Sequence, residues 1–238
     1  MLAVKQKPSR IQERLLFAMP SLYAIKCFLI ETVIWKWILS GVFRLRPRPL
    51  EETDALFRGQ RVLLAACGPG NVSTGPSVDS AAYVAAVDIS PEFAKACRRN
   101  RPAWRVQIAD VTKLPFADGE FDVCAIYSSL HHIPAGGAQV LGELARVTRG
   151  RLVFIEGVVP ARGALRWMLL LWYKLVDGGC HYYTEEELGA ICGQLNLRIE
   201  RLTRHGPIAH MLFGVLHVSP ATGAGDAVEI QRSRASSD

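Results

Sequence analysis

From Arg61 onward, short apolar runs alternate with stretches whose apolar residues recur at helical spacing. RVLLAA (61–66), YVAAVDIS (83–90), WRVQIAD (104–110), FDVCAIYS (121–128) and RLVFIEGV (151–158) are aliphatic runs bounded by Gly, Pro, Asp or Ser, the pattern of buried strands. Between them, PEFAKACRRN (91–100) reads as a helix with Ser90 as N-cap and Pro91 at its first position. GAQVLGELARVT places Val140, Leu141, Leu144 and Val147 on one side of a second helix. TEEELGAICGQL opens with Thr184 and Glu187 at capping-box spacing. LRIERLTRH (197–205) and HMLFGVLHV (210–218) then follow as two further strands. Repeated strand–helix alternation implies parallel βαβ units with both sheet faces covered. The expected fold is therefore α/β: a Rossmann-like, doubly wound sheet of seven strands, the last hairpin antiparallel at one edge.

This domain is expected over residues 50–218, between a helical extension (1–49) and a small-residue, polar tail (219–238) expected to be disordered. LYAIKCFLIETVIWKWILSGVF (22–43) is long enough to cross a bilayer, but it contains Lys26, Glu31 and Lys36. A mid-span Glu opposes insertion by roughly 2.5–3.5 kcal/mol, which disfavours a true span. Lys26 interrupts the apolar region and no small-residue cleavage site follows, so the segment does not read as a signal peptide. Three settings stay open for it: packing over the domain, packing against a second subunit in a homodimer, or peripheral contact with a membrane or lipophilic pocket. Pro47 and Pro49 in RLRPRPLEET end any helix there.

The formal charge of +6 comes from scattered Arg and Lys with no aromatic-interleaved basic face, so nucleic acid is not an expected partner. Six cysteines occur without CxxC or other metal-ligand spacing. They read as reduced thiols in a cytoplasmic protein, with neither a disulfide framework nor a metal site.

In a doubly wound sheet, ligands bind beyond the carboxyl ends of the strands. Those ends carry Cys67-Gly68-Pro69-Gly70 after the first strand, Asp88 after the second and Asp110 after the third. Tyr127, Ser128 and Ser129 follow the fourth, and then Leu130-His131-His132-Ile133-Pro134. Glycines allow close backbone approach to a ligand, and a carboxylate can accept both hydroxyls of a ribose.

These residues carry a family resemblance. VLLAACGPG, VAAVDIS, IADVTKLPFADGEFDVCAIYSSLHHIP and RVTRGRLVFIEGV resemble successive motifs of class I S-adenosylmethionine-dependent methyltransferases, in particular the type 11 small-molecule branch. The resemblance implies S-adenosylmethionine as cofactor. It assigns the ribose to Asp88, with Ile89 beside the adenine. Asp110 and the Val111 amide would read the adenine edge. Ala66, Cys67, Gly68 and Gly70 would form the cofactor loop, with Tyr127 and Ser128 near the methionine end. His131 and His132 then become candidate bases near the transferred methyl. The chain departs from the family pattern at Leu64, where an acid is usual, at Ala66, where glycine is usual, and at Gly75-Pro76, which would break the next helix.

GALRWMLLLWYKLVDGG (163–179) reads most simply as a buried helix; combined with the N-terminal helix it could also roof a lipophilic pocket, so the expected partner is a lipophilic small-molecule acceptor. The competing reading is a methyltransferase-fold protein that transfers no methyl, either a cofactor-assisted cyclase or a non-catalytic partner subunit. A nicotinamide-dependent oxidoreductase is disfavoured because GPGNVS lacks the third glycine of the dinucleotide fingerprint.

Overall fold

A computed structural model describes residues 54–70, 77–134, 136–176, 179–205 and 211–218. The expected N-terminal helix, the tail and the Gly75-Pro76 break lie outside these residues. In chain order the elements are α1 (Asp54–Phe57), β1 (Arg61–Ala65), β2 (Tyr83–Asp88), α2 (Pro91–Asn100), β3 (Arg105–Ile108), β4 (Phe121–Tyr127), a 3-10 turn (Leu130–His132), α3 (Gly137–Val147), β5 (Thr148–Gly157), α4 (Ala164–Val176), α5 (Glu185–Gln194), β6 (Arg198–His205) and β7 (Met211–His217).

The seven strands form one sheet in the order β3-β2-β1-β4-β5-β7-β6. The first five are parallel, and β7 pairs antiparallel with both β5 and β6. The expected α/β fold with an antiparallel terminal hairpin is the one observed. The sequence pattern did not reveal that β7 lies inside the hairpin, between β5 and β6.

Alternation along β1 divides the core into two layers. Leu63 and Ala65 face Val140, Leu141 and Leu144 of α3 and Leu188 of α5, while Val62 and Leu64 face Ala94 and Cys97 of α2. Leu64, standing where the family has an acid, is thus a core residue of the α2 layer. The helix starts follow their sequence signals. Phe93 N donates to the Ser90 hydroxyl at 3.2 Å. Glu187 N donates to Thr184 Oγ1 while Thr184 N donates to the Glu187 carboxylate, completing the capping box.

One expectation is overturned. Helix α4 is not buried all round: Trp167, Met168 and Leu171 are 73, 58 and 59% exposed. Among its described side chains, Leu169 is buried and Leu170 and Tyr173 are partly buried against Val159 and Tyr182. Helix α4 packs on Val159 and Tyr182, beyond the end of β5, rather than on a face of the sheet.

Candidate functional site

Strand pairing brings the ends of β1, β2 and β4 side by side, with Ala65 level with both Val87 and Ile126. Past β1 the chain turns sharply. Cys67 N donates to Val87 O at 2.9 Å, and Gly70 N donates to Cys67 O at 3.1 Å. Gly70 adopts φ +81°, and a Cβ there would lie 3.0 Å from Cys97 Sγ and 2.9 Å from Arg101 Cγ. Only glycine fits. Gly68 also has positive φ, but a Cβ on it would meet no atom within 4 Å, so its face of the loop is open. From behind, Asn100 Nδ2 donates to Pro69 O and Arg101 Nε donates to Gly70 O.

Asp88 ties this loop to β2. Its Oδ2 accepts from Gly68 N at 2.8 Å and its Oδ1 from Ser90 N at 2.9 Å. The residue is 6% exposed. Burial pushes its carboxyl above the ordinary aspartate range, against the pull of the Ser90, Gly68 and Ile89 amides. Each carboxylate oxygen keeps a second lone pair for a further donor. Ile89 beside it turns its side chain outward. Asp110 Oδ1 accepts from Thr112 N and Thr112 Oγ1, fixing the turn after β3, with Val111 buried behind it. The following LPF segment is pinned by Arg146 of α3, whose guanidinium donates to the Leu114 and Phe116 carbonyls and pairs with Asp118 and Glu143.

At the end of β4, Tyr127 is buried, which raises its phenol pKa. Ser128 sits at φ +46°, unusual for a non-glycine residue, and its buried hydroxyl has no hydrogen-bond partner. The residues therefore fit S-adenosylmethionine on structural grounds. They offer a buried carboxylate with spare lone pairs, an open glycine face and an orphaned hydroxyl at adjoining strand ends.

On the other side of β4 lies a group that sequence reasoning missed. Glu156, at the end of β5, is fully buried. One oxygen, Oε1, pairs with His131 Nδ1 and accepts from Gly157 N, and Oε2 accepts from Leu130 N at 2.9 Å. The available signal was an acid in the otherwise apolar run LVFIEGV. The two candidate histidines thus part company. His131 is buried in the Glu156 pair, whereas His132 is half-buried and tilts against the His131 ring. Tyr182 stacks on His131 with centroids 5.3 Å apart, and Tyr173 of α4 stacks on Tyr182 at 4.7 Å. The Val158–Tyr183 bridge and the bonds of Cys180 N and His181 N to His131 O hold this segment against the strand ends.

Residues 63–154 match the methyltransferase-domain family of type 11. Over these residues the chain is similar to methyltransferase domains. Demethylmenaquinone methyltransferases of Renibacterium salmoninarum and Beutenbergia cavernae are each 38% identical to it, over 110 and 122 residues. These matches cover 45 and 50% of this chain and 46 and 50% of the relatives, so the chain spans about half the length of the curated relatives it matches. The fold of the methyltransferase domain recurs in magnesium protoporphyrin IX methyltransferase of Synechocystis, solved with bound S-adenosylhomocysteine. That structure has a TM-score of 0.55 and 17% identity, covering 92% of this chain and 89% of that one. An S-adenosylmethionine-dependent methyltransferase of Methanosarcina mazei gives 0.58 at 15% identity, covering 72 and 98%.

Ala66, where the family pattern has glycine, adopts φ +50°. An L-residue in this conformation is strained by roughly 1–2 kcal/mol, and glycine relieves that at an entropic cost of about 0.5–1 kcal/mol. Ala66→Gly should therefore raise stability by about 0.5–1 kcal/mol and tighten cofactor binding, as read by denaturant melts and calorimetry.

Proposed function

We propose that the protein is an S-adenosylmethionine-dependent methyltransferase acting on a lipophilic small molecule. The observation that carries this reading is the buried Asp88 carboxylate, fastened to Gly68 with lone pairs to spare for a ribose diol. Ile89 would flank the adenine, Asp110 and Val111 would read its edge, and Ser128 would face the methionine end beside Tyr127. Bound S-adenosylmethionine supplies a methyl group on a positively charged sulfur.

His131 takes the acceptor's proton. Its Nδ1–H donates to Glu156, which fixes the tautomer with the lone pair on Nε2 and offsets the positive charge gained on protonation. Glu156 is thus a positioning residue and His131 the base. Burial of the pair keeps water from competing for the proton. The acceptor class rests on two supports: the relatives are named for demethylmenaquinone, and the helix joined to His131 through Tyr173 and Tyr182 is rich in Trp and Leu.

Incubation with methyl-labelled S-adenosylmethionine and prenylated naphthoquinols lacking the ring methyl tests this reading. Label is expected in the lipophilic product. A folded protein that binds no S-adenosylmethionine would overturn the reading in favour of a domain that transfers no methyl, the direction in which Leu64 and Ala66 point.

A further inference from the structure

Helix α4 presents Ala164, Trp167, Met168 and Leu171 to solvent. This i, i+3, i+4, i+7 spacing normally marks the face a helix turns to the core. Here the core contact lies on the other side, at Leu169, Leu170 and Tyr173. Seven large apolar side chains are well exposed among the described residues, and four of them, Leu165, Trp167, Met168 and Leu171, belong to this helix. That concentration makes a patch rather than the scatter expected on a soluble surface. The helix and its N-terminal approach are cationic: residues 157–176 contain Arg162, Arg166 and Lys174 and no Asp or Glu, and Asp177 follows directly. Arg162 is exposed, and Arg166 folds back to donate to Pro160 O.

We infer that this face docks the protein on an anionic lipid surface. Thirteen residues give a helix about 20 Å long, short of the roughly 30 Å hydrocarbon core, so it lies in the interface rather than crossing it. Among the described residues, no helix is long and apolar enough to span a membrane. An interfacial helix needs an apolar face, an amphipathic indole at headgroup level and cationic flanks, and α4 has all three. The charge complementarity selects a lipid surface over a second copy of the chain, since two copies of this face would bring like charges together.

The inner side of the same helix leads to the reaction site. Tyr173 Oη lies 3.2 Å from the Cβ position of Gly157, and the Tyr173–Tyr182 stack ends on His131. Resting on the proposed function, this arrangement places the base directly behind the docking helix. A lipophilic acceptor then passes from the bilayer to His131 without crossing bulk water.

Flotation of the full chain with phosphatidylglycerol–phosphatidylcholine vesicles, and with phosphatidylcholine alone, tests the inference. The wild type should float with the anionic vesicles and less with the neutral ones. Trp167→Ser combined with Leu171→Ser should lower the vesicle partition roughly ten-fold or more. Arg162→Glu should lower it on anionic vesicles only. Both variants alter exposed positions, and unchanged S-adenosylmethionine binding would show that they fold. Equal flotation of wild type and the double variant would overturn the inference by placing lipid contact elsewhere in the chain. A wild type that stays unbound, or a dimer that the two serines dissolve, would overturn it by leaving the face uncovered or giving it to a second copy. Vesicle binding by a protein that binds no S-adenosylmethionine would sustain the docking face while defeating the methyltransferase reading.

Discussion

Glu156→Gln is expected to lower kcat by roughly 10²-fold or more while leaving the S-adenosylmethionine Kd within a few-fold of wild type. The carboxylate accepts from three donors, His131 Nδ1, Gly157 N and Leu130 N, with no access to water. An amide of the same shape must turn its NH2 toward at least one of them. If it faces His131, the imidazole changes tautomer, the proton moves to Nε2, and no lone pair is left for the acceptor's proton. If it faces a backbone amide, a buried donor is left unmatched, at about 1–3 kcal/mol of stability. The kinetic signature separates these outcomes. As members of one unit, His131→Ala and the double variant should be equally slow, the second substitution adding little to the first. Independent, additive losses would show that Glu156 holds the strand ends but does not orient a base. Thermal melts of each variant define the temperature at which the rates are compared.

Asp88→Ala should weaken S-adenosylmethionine binding by roughly 100-fold or more. The substitution would remove the two charge-assisted hydrogen bonds proposed to the ribose, each worth about 1.5–3 kcal/mol, and free the loop that Gly68 N anchors. Calorimetry reads the change directly, and Ala66→Gly should move the same constant the other way. The pH dependence has a definite sign. Burial raises the Asp88 pKa, so the protonated form gains population above the ordinary aspartate value of about 4. Cofactor affinity should decline on acidification from a higher pH than an exposed aspartate would give. Asp88's contribution to stability runs oppositely. A group whose folded pKa exceeds its unfolded one opposes folding at neutral pH, and that opposition fades as pH falls through the folded pKa. Binding that stays flat until the ordinary aspartate range would remove Asp88 from the ribose contact.

Residues whose role is local were readable from the sequence. Ser90 and Thr184 cap helices through bonds spanning three residues, and their neighbours supply the whole signal. The strand cores followed from apolar runs, and Val140, Leu141, Leu144 and Val147 are all buried, as their spacing implies. The Gly68–Asp88 pairing spans 20 residues, yet the strand–turn–strand logic of the fold brings the two together. What escaped was non-local. Glu156 meets His131 across 25 positions, and nothing in LVFIEGV says which histidine an acid there will find. Helix α4 was misjudged for a related reason: apolar content reveals a preference for burial, not which surface the helix will meet. The position of β7 was hidden likewise, since both hairpin orders carry the same alternation.

That order has a consequence for synthesis. Each strand from β2 to β5 can join an existing neighbour once its turn arrives, but β6 emerges with no partner to receive it. Its place at the sheet edge exists only after β7 has paired with β5, joining Arg151 to His217 and Gly157 to Met211. Until residue 217 has left the ribosome, β5 is an open edge and β6 an unpaired strand. The nascent chain therefore depends most on chaperone shelter between the emergence of Gly157 and that of His217, the interval in which an unpaired edge can capture another chain.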